Sequence, residues 1–203
     1  MAATKRPPNN RIIRRSFDVA VERAARLATF SLAPPHRFGA EISDRAEKLA
    51  HDDLVVFAIS ARRLFDAAGL VALSQSSKVM ELRPQMSEWH LALEHLKNIS
   101  LRLVLNMIVH SDTLEISTYE LHVLALAGHE VPSEIAISQI AQRDFGRVLP
   151  IILLRTDREP YRFVRLSELI DGFSDCLDEV VAHCWKMGID LETSADGDRK
   201  SVV

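Results

Sequence analysis

The run ISLRLVLNMIV, Ile99 to Val109, constrains this chain more than any other segment. It is apolar almost all round, so as a helix it has no face to give to water and must be enclosed by its neighbours. The segment upstream, from Ser87 after Pro84, is amphipathic, and together the two predict one helix over 88–110. Other helices are available to enclose it. Val21, Ala24, Leu27, Ala28 and Phe30 recur at three and four over 16–32, with Ser16 as the cap and Pro34-Pro35 as the stop. Leu49, Leu54, Val55, Ile59, Leu64, Phe65 and Ala68 form a second series over 44–68, opened by Asp44-x-x-Glu47 and closed by Gly69. A last one, 168–187, is capped by Ser167, aligns Ile170, Phe173, Leu177, Val180, Val181, Cys184 and Met187, and ends at Gly188.

Strand signals lie between the third and last of these. Thr113 to Leu126 mixes the β-favouring Ile116, Tyr119, Val123 and Leu124, which reads as one or two strands. Ser133 to Phe145 reads as a short helix stopped by Gly146. RVLPIILLRT, the polar DREP and YRFVRL make a β-hairpin at 148–166, with Pro150 near a strand end because it cannot donate to a ladder. The expected fold is predominantly α (α+β): a bundle of three to four long helices with a small antiparallel hairpin before the C-terminal helix. Its expected parts are a flexible basic arm over 1–14, a single globular domain over 15–188 and a polar tail over 189–203.

At 203 residues, 47% hydrophobic and 26% charged, the chain has the balance of one ordinary folded domain. None of its seven glycines pairs as G-x-G, so the dinucleotide fingerprint and the phosphate loop are missing. No stretch reaches the roughly 18 apolar residues of a membrane span, and the basic N-terminus has no apolar run of signal-peptide length. Cys176 and Cys184, eight apart on one helix, are not placed to bridge. A reducing, cytoplasmic setting is expected. The net charge of -3 is unevenly spread: residues 1–37 carry +6 and the remainder -9, a basic arm on an acidic body.

On the helix expected over 88–110, His95, Arg102, Asn106 and His110 fall within an arc of roughly 80° at about 100° per residue. They form one polar seam on an apolar helix. A buried arginine and histidine need an internal carboxylate, such as Asp52 or Asp53 of the second helix, or a solvent-filled groove. The run LRLVLNMIVHS, with an arginine and a downstream polar residue and histidine on one face, resembles the motif helix of the HEPN superfamily of bacterial helical bundles. Many members of that superfamily are ribonucleases of toxin–antitoxin and defence systems, and others are inactive binding modules. The resemblance implies a homodimer, since family nucleases build their site across one. It implies that Arg102 would neutralise a scissile phosphate, His110 would move the proton of a ribose hydroxyl and Asn106 would orient either.

The basic arm, with Lys5, Arg6, Arg11, Arg14 and Arg15, is a candidate holder of RNA phosphates. Glu47/His51 and Glu179/His183 stand four apart, but without a Glu-x-x-His or Cys-x-x-Cys no metal or cofactor is expected. Cys184 falls on the apolar stripe and reads as core. The functional expectation is a protein that acts by binding RNA or a protein partner, HEPN-like without established nuclease chemistry. The alternatives are a metal-independent ribonuclease using Arg102 and His110, and a structural homodimer whose long helices bury an apolar face against a twin.

Overall fold

A computed structural model describes residues 9–32, 40–86, 91–117, 128, 150–157 and 159–191. In chain order these form α1 (Asn10–Leu32), α2 (Ala40–Ala67), α3 (Val71–Ser76), β1 (Lys78–Met86), β2 (Leu91–Ser100), α4 (Leu101–His110), β3 (Thr113–Ser117), β4 (Ile151–Thr156), β5 (Glu159–Arg165) and the terminal helix α5 (Leu166–Lys186). The fold is α+β. In place of a bundle with one small hairpin, the described residues form an antiparallel five-stranded sheet in the order β2-β1-β5-β4-β3. The expected hairpin is β4–β5, and its second strand is the middle of that sheet.

The register sorts side chains onto two faces. Val79, Ile99, Ile116, Ile152, Leu154 and Val164 share one face and join the main core with residues of α1, α2, α4 and α5. Leu82, Leu93, Ile151, Leu153 and Phe163 form a second cluster on the other face. Four consecutive buried residues, Ile151 to Leu154, are what a strand covered on both faces requires. At the centre of the helical layer, Phe173 of α5 meets Phe57 edge-on with ring centroids 5.0 Å apart and Phe65 at 6.3 Å, joining α5 to α2.

The largest correction concerns 88–110. Residues 91–100 are strand β2 and only 101–110 are helical. Ser100 ends the strand and caps the helix, its Oγ accepting from the Leu103 amide at 3.2 Å. The enclosure inferred for the second half holds: Leu101, Val104, Leu105, Met107 and Ile108 are all buried.

The helix expected from Ser16 begins at Asn10, so Arg11 and Arg14 sit in its first turns and Ser16 is a buried interior residue. α2 likewise starts at Ala40, ahead of Asp44. Residues 189–191 are not a loose tail. Gly188, at φ +71°, closes α5 with the Ile189 amide bonded back to the Cys184 carbonyl at 2.8 Å, and this turns Ile189 and Leu191 into the core. β3 covers the first part of the 113–126 prediction. Residues 118–126, the short helix expected over 133–145, residues 1–8 and residues 192–203 lie outside the described residues. Among those described, no helix is long and apolar enough to cross a membrane.

Candidate functional site

α4 packs against the second half of α2, and each helix brings polar groups to the junction. Arg62 and Asp66, one turn apart on α2, face Arg102, Asn106 and His110, each one turn apart on α4. Arg102 grips Asp66 with both terminal nitrogens, Nη1 to Oδ1 at 2.8 Å and Nη2 to Oδ2 at 3.2 Å. This is the two-pronged geometry that suits guanidinium to carboxylate. The Arg102 side chain is 15% exposed and that of Asp66 44%. Arg62 Nε lies 3.9 Å from the same carboxylate.

His110 is exposed at the end of α4, with Nε2 3.0 Å from Nη1 of Arg62. A guanidinium can only donate, so in this contact Nε2 accepts and the ring carries its hydrogen on Nδ1. Asn106 Oδ1 is buried without a hydrogen-bond partner.

The carboxylate that holds Arg102 is therefore Asp66, not Asp52 or Asp53. Asp53 is used elsewhere, in an ion pair with Arg23 that ties α1 to α2. His95 is not part of the seam. It projects from the outer strand β2, exposed, with Nε2 3.1 Å from Asn98 Oδ1. Arg62 and Asp66 escaped the sequence reading, although an arginine and an aspartate four apart on a predicted helix were the available signal.

Beside this network a groove of about 480 Å³ opens between α1, α2 and α4. Ile12, Ile59, Ala67 and Val109 give it an apolar floor, and Arg62, Arg63 and Asp66 give it a charged rim. Arg11, Arg14 and Arg15, all exposed, stand on the turns of α1 that carry Ile12. None of the three lines the groove; around α1 Arg15 and Arg11 stand about 60° and 100° from Ile12, and Arg14 about 160° from it.

Of the remaining candidates, His183 and the two cysteines have structural employment. His183 Nε2 lies 3.1 Å from the Ala68 carbonyl and ties α5 to the end of α2. Cys176 and Cys184 are free and buried, and burial pushes both thiols above their ordinary range. No group of three or more histidine, cysteine or acidic residues suited to a metal occurs among the described residues. Within the sheet, Glu81 accepts from Arg162 Nη1 at 2.7 Å, with Lys97 Nζ at 3.6 Å, in an ion pair far more enclosed than that of Arg102. Comparison with family models, with curated proteins and with solved structures yields no significant match.

Proposed function

We propose that the protein acts by binding, and that its ligand is single-stranded RNA laid across the junction of α1, α2 and α4. The groove carries this reading: an apolar floor bordered by Arg62 and Arg63, with further exposed arginines on the turns of α1 that supply Ile12. Arginines at the rim suit phosphates, and an unpaired base offers a flat apolar face to Ile12, Ile59 and Val109. The likeness of the α4 motif to the HEPN helix belongs to this proposal, as does a cytoplasmic setting, with which two free buried thiols agree.

Arg102 plays no part in phosphate binding on this reading, because Asp66 occupies both its terminal nitrogens. Its role is to hold α4 against α2 and so to place His110 and Arg62 at the rim. A second reading, metal-independent cleavage, draws on one observation: His110 Nε2 is an exposed acceptor beside a cation. With Arg62 turned from Nε2 onto the phosphate, the freed Nε2 would take the proton of a ribose 2′-hydroxyl as O2′ attacks phosphorus and the P–O5′ bond breaks, the 5′-oxygen taking a proton from water.

Anisotropy of a labelled oligoribonucleotide of about 12 nucleotides at low salt tests the proposal. Binding is expected, with Arg62→Ala/Arg63→Ala and Arg11→Gln/Arg14→Gln/Arg15→Gln each weakening it about tenfold or more. No binding at low salt, or affinity untouched by both variants, overturns it. Cleavage of the oligonucleotide that His110→Ala abolishes would replace binding with the second reading.

A further inference from the structure

α2 carries a feature that RNA binding does not use. Ile42, Leu49 and Val56 are 57%, 54% and 37% exposed, although Leu54, Phe57, Leu64 and Phe65 of the same helix are wholly enclosed. They recur at intervals of seven. At about 100° and 1.5 Å per residue, the three lie within an arc of about 40° and span about 21 Å. Single exposed apolar residues are ordinary on a protein surface, whereas three at intervals of seven align as one apolar ridge along a helix. Arg45 and Asp52, both exposed and also seven apart, run beside this row.

We infer that two copies of the chain pair through this row, α2 against α2, antiparallel about a twofold axis at Leu49. In that register Leu49 meets the partner's Leu49, and Ile42 meets the partner's Val56. Each Arg45 comes beside the partner's Asp52, once on either side of the axis. A parallel pairing, with its twofold along the helices, would carry the two charged margins to opposite flanks, out of reach of each other, so the charges select the antiparallel one. A patch complementary to itself under a twofold rotation identifies its occupant as a second copy, because an isologous interface uses the same surface on both subunits. The seam is short, and an interface of this size fits dissociation in the micromolar range. The groove at Arg62 and Arg63 begins beyond the C-terminal end of the row.

Sedimentation equilibrium of the full chain, from about 1 to 200 µM, tests the pairing. A monomer–dimer equilibrium is expected. Leu49→Asp should weaken it about 100-fold or more, and Arg45→Asp or Asp52→Arg about tenfold each, with the double exchange returning it to within about threefold. Leu96→Asp, at an exposed leucine of β2, should leave it unchanged. All substituted positions are exposed, and circular dichroism checks that each variant is folded. A wild-type chain still monomeric at the highest concentration overturns the inference. So does a dimer indifferent to Leu49→Asp, one equally sensitive to Leu96→Asp, or a double exchange that fails to restore pairing.

Discussion

Two arginines show how burial, not the presence of an ion pair, sets what a substitution costs. Arg102 faces Asp66, whose side chain is 44% exposed, so removing the guanidinium returns the carboxylate to water. Arg102→Met should therefore cost about 1–2 kcal/mol. Arg162 faces Glu81, whose side chain is only 5% exposed. Arg162→Met should cost about 3–5 kcal/mol, since it leaves a carboxylate enclosed with Lys97 as partial compensation. Urea melts of the two variants give the comparison, and equal costs would contradict it. The cysteines add a pH dependence. Burial raises both thiols, so the native state keeps protons that the unfolded state, with thiols near 9.0, gives up. Their contribution is fully present below that unfolded value and is lost as pH rises through the native ones. Each thiol adds at most about 1.4 kcal/mol per pH unit. Melts between pH 7 and 10 should fall less steeply for Cys176→Ala/Cys184→Ala than for the wild type.

At the scale of elements, the helices were legible because their apolar periods are long and each meets a partner. α2, α4 and α5 lie where Leu54, Leu105 and Phe173 said a buried face should be. β2 was not legible, for two physical reasons. LALEHLKNIS is rich in helix-forming residues, and pairing with β1 along nine positions overrides that preference. The bulge also hides the strand's alternation: Leu82 pairs with His95 and Glu81 with Lys97, leaving Leu96 over. Leu93 and Ile99, an even number of residues apart, thereby reach opposite faces of the sheet, Leu93 in the second cluster and Ile99 in the main core. The same limit applied to the site. Arg102, Asn106 and His110 were found together because one helix carries them, and His95 was added only by running that helix through a strand. Arg62 and Asp66 come from another element, and their approach depends on how α2 and α4 dock. That docking layer rests on close contact elsewhere: a Cβ at Gly172 of α5 would meet the Lys78 carbonyl and Val79 Cγ2 of β1, each at 3.1 Å. Gly172→Ala should push α5 off the sheet and cost about 1–3 kcal/mol, read as a lowered urea midpoint with an unchanged slope.

For the whole molecule, the proposed activities belong to opposite kinds of surface. The proposed RNA face draws on Arg62, Arg63 and the exposed arginines of α1, on a chain whose remaining charge is acidic, whereas the pairing row of α2 is apolar with Arg45 and Asp52 along one margin. Binding of single-stranded RNA releases counterions, with a slope of about -0.7 in log affinity against log salt for each phosphate neutralised. Four such contacts predict a loss of about 50-fold between 50 and 200 mM salt. Self-association driven by apolar burial has no comparable release, so its constant should change less than about threefold over that range. Substitution is the way to assign the slope, because deleting residues 1–14 would also remove the first turn of α1 and the enclosed Ile13. Arg11→Gln/Arg14→Gln/Arg15→Gln should reduce its magnitude by about 0.7 for each arginine that touches a phosphate, and Leu49→Asp should leave it alone. A slope that survives the triple variant would take α1 out of the RNA face, and a slope that collapses with Leu49→Asp would mean that RNA is held by the pair of copies rather than by each one.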